Sequence, residues 1–191
     1  MNSRFGIIVL LIVAAAMSRL LPHPYNFTPI GAIGLFGAAY FTKRYLAFLV
    51  PFAAMWVSDL ILNNVVYAQY YTGFQWGGNT SVYVSFGLII ILGSVLLRKV
   101  NTKNVLMASV SASLLFYLIT NFAVWMGSTT YPQNAVGLLS CYAAGLPFYS
   151  MELAPPFGFL LNGIAGDLFY CAALFGVFEL LKARFPKLQE A

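Results

Sequence analysis

The sequence predicts an all-α membrane protein, a single domain over residues 1–191 built from about six transmembrane helices, and three observations carry that expectation. The first is composition: 61% of residues are hydrophobic and 8% charged, where a soluble domain carries about a quarter charged. The second is the recurrence of apolar runs of near-spanning length, separated by proline-rich, basic or aromatic connections. The third is the placement of lysine and arginine, which gather in every second connection.

The first span covers about residues 5–21 and stays apolar until Ser18 and Arg19. Pro22-His23-Pro24 ends it, because proline lacks a donor and pushes the preceding residue out of the helical region. Residues 1–17, with Arg4, an apolar run and Ala14 to Ala16, have the make-up of a signal peptide. They read here as a retained anchor, since losing them would spoil the charge alternation. The second span, about 28–41, is short and carries Gly31, Gly34 and Gly37. Glycines at that spacing drift slowly around a helix and let another backbone come close.

After the basic turn Lys43-Arg44, the third span covers about 46–62, with Asp59 near its far end. The connection 63–80 has no charge but holds Tyr67, Tyr70, Tyr71, Phe74, Trp76 and three asparagines, an aromatic and amide-rich cap. The fourth span, about 81–97, ends at Arg98-Lys99. The fifth, about 105–126, has Thr120, Asn121 and Trp125 in its last two turns. Connection 127–156 contains Tyr131-Pro132, Pro147-Phe148-Tyr149 and Pro155-Pro156 around an apolar middle, NAVGLLSCYAAGL. That middle suits a short helix lying in or dipping into the membrane, which needs burial in protein or a cavity to line. The sixth span, about 157–181, has Asn162, Gly163, Gly166 and Asp167 in its first half and a basic tail, Lys182, Arg184 and Lys187.

Arg4, Lys43, Arg44, Arg98, Lys99, Lys103 and the basic tail all fall on one side of this layout, while connections 22–27, 63–80 and 127–156 hold no lysine or arginine. By the positive-inside rule both termini are cytoplasmic and these three elaborate connections face outward. The ten basic against five acidic residues therefore encode orientation rather than a nucleic-acid surface, which would need a basic face. Two cysteines, Cys141 and Cys171, with a single histidine offer no metal site, and no cofactor motif is present. Phosphate loop, serine elbow and acidic metal box are all missing, so no catalytic residue is assigned and no enzyme is expected.

Charged and amide residues inside the spans are the candidate functional groups, because a lone charge at membrane depth costs ~2.5–3.5 kcal/mol on insertion scales. Arg19 is the expected counter-ion of Asp59 or Asp167. Those three, with Asn26, Asn121 and Asn162, form the floor of an outward-facing cup roofed by Tyr71, Trp76, Trp125 and Tyr131, where stacking and amide hydrogen bonds hold a small organic molecule. Set against this is a structural ion pair that clips the first span to the third or sixth, with Tyr and Trp serving only as an interface belt. His23 is expected to bond a neighbouring carbonyl, Cys141 to be a buried thiol, Glu179 to pair with Lys182 at a helix end, and Glu152 to be solvated.

The segments SRLLPHPYNFTPIGAIGLFGAAYF, WVSDLILNN, TNFAVW, GLLSCYAAGLPFY and GDLFYCAALFGVFEL resemble a family of small bacterial membrane proteins of unknown function that carries a transport-protein descriptor. The resemblance implies a multi-pass protein of the bacterial cytoplasmic (inner) membrane. At the level of architecture the chain is also similar to the substrate-binding S-components of energy-coupling-factor vitamin transporters, including the BtuM-type vitamin B12 transporters. That likeness implies an S-component-like bundle, a vitamin or precursor-like ligand, and an energising module or other membrane subunit as partner besides the bilayer. The reactive cysteine of the BtuM type has no counterpart between Asn63 and Thr80, and Ala14 to Ala16 only loosely match the alanine-rich docking face of S-components.

The leading expectation is thus a transport protein that captures a small solute from outside. A structural or assembly subunit of a membrane complex, and an intramembrane enzyme built on Asp59 and Asp167, are the alternatives. Arg19→Ala should damage assembly or binding more than His23→Ala, as read by thermal unfolding in detergent, and equal tolerance of both would count against this assignment.

Overall fold

A computed structural model describes residues 3–146 and 158–188. They form seven α-helices: α1 (Ser3–Ser18), α2 (Ile30–Tyr40), α3 (Arg44–Ile61), α4 (Thr80–Leu96), α5 (Thr102–Gly127), α6 (Ala135–Gly145) and α7 (Phe159–Arg184). A π turn, Leu62–Val66, extends α3, and there is no strand among the described residues. Pro147-Phe148-Tyr149, Glu152 and Pro155-Pro156 lie outside the described residues.

The helices match the expected spans to within a few residues, and the local reasons are visible. Asn79, Asn101 and Asn134 cap α4, α5 and α6 by accepting from the backbone amides of Ser81, Asn104 and Gly137. α1 stops at Ser18, short of the expected residue 21, because the three residues after it are drawn into turn-type bonds ahead of Pro22.

Length separates two groups of helices. Three are long and apolar enough to cross a membrane, the helix over Arg44–Val66, α5 and α7, which is fewer than the six expected from sequence. At about 1.5 Å per residue the 16 residues of α1 and 17 of α4 rise roughly 24–26 Å, and the 11 of α2 and α6 only about 17 Å, against a hydrocarbon core of about 30 Å. The shortfall lies in α1, α2 and α4, whose 16, 11 and 17 residues are fewer than a crossing of that core takes.

The short helix α2 is the hub. It packs against α1, α3, α4, α5 and α7, and Ile30–Gly37 and Tyr40 are all buried. An apolar surface all round a helix is what burial on every side requires. Its three glycines do not line one groove for one partner, as their spacing suggested. A step of three residues turns a helix by about 300°, so successive glycines fan out by roughly 60° each and meet three different neighbours. A Cβ on Gly31 would strike the Asp167 carboxylate of α7, one on Gly34 would lie 3.1 Å from Phe86 of α4, and one on Gly37 would run into Pro51 of α3.

At the opposite end of α2 from Pro29, an aromatic cluster closes the core. Phe36 and Tyr40 pack edge-on against Phe175 and Phe178 of α7, and the Tyr40 hydroxyl donates to Glu179 Oε1 at 2.6 Å. Glu179 also pairs with Lys182 at 2.9 Å, as expected. The outward surface is apolar, with Leu10, Leu49, Ile91, Leu106, Leu118 and Leu180 exposed, which suits a hydrocarbon surrounding and not water.

Gly37→Ala is therefore expected to lower stability by about 1–3 kcal/mol through overpacking against Pro51. Gly176→Ala, where an added Cβ meets nothing within 4 Å, should leave stability unchanged or raise it. Thermal unfolding of the two variants in detergent reads the difference.

Candidate functional site

Two buried polar clusters sit on either side of the start of α2. The first joins α1, α3 and α4. Arg19, just past the end of α1, places Nη1 2.7 Å from Asp59 Oδ1 and donates to Ser58 Oγ at 2.5 Å. The Tyr83 hydroxyl of α4 donates to Asp59 Oδ2 at 2.7 Å. Both charged side chains are close to fully buried, 12% and 7% exposed. Of the two acids open to Arg19 from sequence, it pairs with Asp59 and not with Asp167.

The connection after α3 folds down over this pair. Asn64 makes two bonds to the backbone of Gln75, at 2.7 and 2.8 Å, Asn63 donates to the Gly77 carbonyl at 3.1 Å, and the Trp56 indole donates to the Trp76 carbonyl at 2.8 Å. Gly78 can then lie directly over Asp59, where a Cβ would collide with Oδ2. Two aromatic side chains of this connection are exposed, Trp76 at 75% and Tyr71 at 45%. Beside Arg19, an open depression of about 590 Å³ is walled by Leu62, Tyr67, His23 and Asn26. His23 Nδ1 lies 2.6 Å from the Leu21 carbonyl, the local contact expected of it.

The second cluster joins α2, α5 and α7 and is built around Asp167. Its Oδ1 accepts from the Ala32 backbone amide at 3.2 Å and its Oδ2 from the Ser113 hydroxyl at 2.7 Å. α2 has no capping side chain of its own, because Pro29 occupies that position. Asp167 supplies the missing acceptor from another helix, and the positive end of the α2 dipole stabilises its carboxylate. Gly31 is what lets the carboxylate reach the first turn, since any side chain there would occupy its place.

Asp167 and Ser113 form the floor of a cleft of about 60 Å³. Thr28, Tyr117, Thr120 and Asn121 line its wall, and Asn26, Leu160 and Gly163 lie toward the loop-rich end. Asn26 borders both this cleft and the depression beside Arg19, and it holds the left-handed conformation, with φ of 60°. Residues 25–28 run along the first turns of α7: Asn162 donates to the Tyr25 carbonyl at 3.0 Å, and Gly166 lets Phe27 Cα and Thr28 N approach to 3.0 Å of where its Cβ would be.

Helix α6 covers the end of α5. Cys141 is buried with its thiol 3.4 Å from the Asn121 carbonyl, the Tyr117 hydroxyl donates to the Tyr142 carbonyl, and the Tyr142 hydroxyl donates to the Leu118 carbonyl at 3.0 Å. Gly145 leaves room for the Asn121 amide oxygen. Trp125 turns its indole to the Pro132 carbonyl at 2.9 Å and organises the α5–α6 turn near Tyr131. Neither Trp125 nor Tyr131 lines the cleft.

Of the ten residues singled out from sequence, Asn26, Asn121 and Asp167 line the cleft, and Asn162 fixes the loop beside it. Arg19 and Asp59 form a separate cluster. Tyr71, Trp76, Trp125 and Tyr131 line neither. The sequence reading passed over Thr28, Gly31, Ser113, Tyr117 and Thr120. A signal for three of these was available: with Ser109, the residues Ser113, Tyr117 and Thr120 follow a 4-4-3 spacing that marks one helix face. Among the described residues no group of three or more His, Cys, Asp or Glu could hold a metal ion.

The described residues are all-helical with an apolar exterior, and their three long apolar helices are compatible with a membrane protein. More particularly, the chain belongs to the Family of unknown function (DUF6580), which matches residues 1–188. No curated protein and no solved structure matches it.

The dependence of Asp167 on Gly31 is open to a double-mutant cycle. Gly31→Ala should destabilise the native chain by about 1–3 kcal/mol and cost at least about 1 kcal/mol less in an Asp167→Ala background, because the two substitutions remove opposite sides of the same contact.

Proposed function

We propose that this chain is a multi-pass protein of the bacterial inner membrane that captures a small polar solute from the outer side, in the cleft between α2, α5 and α7. The observation that carries the reading is that cleft: a carboxylate, four hydroxyl side chains and two amides line one space inside a largely apolar bundle. Polar groups at that depth destabilise a membrane protein unless they are satisfied, and they mark pathways and binding sites for that reason. A space of about 60 Å³ takes the head group of a small molecule or a few waters.

Six crossings are compatible with the helix lengths. α1 and α4 fall short of the hydrocarbon core by only about 5 Å, which flanking apolar residues or slight local thinning of the bilayer absorbs. α2 is far shorter, yet five helices surround it, so its ends need no match to lipid. Pro29 and Phe41, at the two ends of α2, are buried against protein, the setting in which irregular backbone is tolerated. The charge distribution then puts the depression beside Arg19 and the mouth of the cleft outside.

Orientation is checked by cysteine labelling in a background with Cys141 and Cys171 replaced by alanine. Gly77→Cys should react with an impermeant maleimide in intact cells, and Lys103→Cys only after permeabilisation. Capture is checked by native mass spectrometry of the purified protein, which should show a small-molecule adduct that is lost in Thr120→Leu. No adduct, together with recovery of one stable membrane partner, would favour the assembly-subunit reading instead.

A further inference from the structure

We propose that the cleft recognises its solute by a protonated amine, seated on Asp167, with a short hydrogen-bonding chain running from there toward Asn26. The inference rests on the capture reading above and names the ligand class that the same site would take. Its basis is charge and geometry. Among the residues lining the cleft, Asp167 is the one ionisable acid and there is no lysine, arginine or histidine. Arg19, the basic residue nearest this end of the bundle, is held 2.7 Å from Asp59 and has Ser58 as its second partner. Asp167 therefore has hydrogen-bond donors but no counter-cation.

Its oxygens accept from the Ala32 amide and the Ser113 hydroxyl, with the Gly31 amide as a further backbone donor. A carboxylate has about four acceptor positions, so not all of them are taken by the protein. A neutral hydroxyl could use the rest, but only a cation offsets the buried charge that the α2 dipole offsets in part. The other polar residues lining the cleft are also oxygen-bearing: the hydroxyl side chains Thr28, Ser113, Tyr117 and Thr120 and the amides Asn26 and Asn121. Such a lining favours a donor-rich guest.

The spread of these groups argues against a bare metal ion. Ser113 and Thr120 are seven residues apart on α5, about 10 Å along the axis, and one ion cannot draw ligands from both. An elongated molecule can, with its ammonium on Asp167 and hydroxyl or amide groups beside Thr120 and Asn121. The cleft volume of about 60 Å³ fits such a head group and little more.

The test uses the full chain in detergent and three probes of one size and different charge: ethanolamine, ethylene glycol and glycolate, at matched sodium chloride. Ethanolamine, at ten times its own Kd, is expected to raise Tm by roughly 3–6 °C, and the neutral and anionic probes to do nothing. Asp167→Asn should lose the response. Should that variant fail to fold, Gly163→Leu serves in its place: an added Cβ there meets only the Asn26 carbonyl, at 3.9 Å, so the larger side chain fills the cleft without disturbing the carboxylate. If ethylene glycol stabilises as well as ethanolamine, or if either variant keeps the ethanolamine response, the amine assignment is overturned while solute capture stands. If no probe has any effect and native mass spectrometry finds no adduct, both are overturned.

Discussion

The close contact between the Asp167 carboxylate and the first turn of α2 is the interaction on which the rest of this bundle depends. Helix α2 lies at the centre, touches five others and is buried along nearly its whole length. A buried helix start leaves backbone amides without water, and here Pro29 stands where a capping side chain would be. The acceptor has to come from elsewhere in the fold. Asp167 provides it, which fixes the axial position of α7 against α2 and, through Ser113, that of α5 against both. The same contact solves the problem of the acid: a carboxylate costly to bury alone becomes acceptable between an amide, a hydroxyl and a helix dipole.

The pairing of a buried polar side chain with a glycine recurs. Asp167 has Gly31, Asp59 has Gly78 and Asn121 has Gly145, each with the polar oxygen where the glycine's Cβ would stand. At Asp167 this close approach brings a backbone donor within reach, whereas at Asp59 the donors are Arg19 and Tyr83 and the glycine leaves room for the carboxylate. The three pairs sit at the loop-rich end of the bundle. The other end relies on aromatic packing around Phe36 and Tyr40 and on one carboxylate, Glu179, held by Tyr40 and Lys182. One end is thus built from adaptable polar contacts and the other from close-packed rings, an asymmetry that leaves room for a cleft at one end only.

Much of this was legible in the sequence, and the parts that were not share a cause. The Pro22-His23-Pro24 triplet and the basic turns located helix ends, and the cost of burying a lone charge identified Arg19 as a partner for an acid. Which acid was not legible, because charge alone ranks Asp59 and Asp167 equally; the choice was made by a helix N-terminus that offers Asp167 an alternative to a cation. Periodicity also hid the position of α2. Glycines three apart read the same whether they face one neighbour or three, and only the packing shows that Gly31, Gly34 and Gly37 face α7, α4 and α3. Tyr71, Trp76 and Trp125 were over-read for a similar reason. Aromatic and amide composition is common to ligand roofs and to loops that fold back on themselves, and here the amides and indoles satisfy backbone carbonyls such as those of Gly77, Trp76 and Pro132.

The two polar clusters differ in a way that bears on function. At Asp59 the charge is answered inside the protein: Arg19, Tyr83 and the overlying Gly78 leave its carboxylate no open approach, and loss of any partner would expose a buried charge. Asp167 keeps acceptor capacity facing a space, beside hydroxyls whose own bonds to α5 carbonyls leave their lone pairs available, as Thr120 does with Phe116. The first arrangement is that of a clip, while the second leaves the acceptor capacity that the proposed capture would use. Since Asn26 borders both the cleft and the depression beside the clip, and its neighbour Tyr25 is tied to α7 through Asn162, a shift of α7 would be felt at the loop between α1 and α2. The clip at Arg19 anchors that loop where it leaves α1, so movement at the cleft has to be absorbed within residues 22–28, the stretch richest in proline and the one that holds the left-handed Asn26.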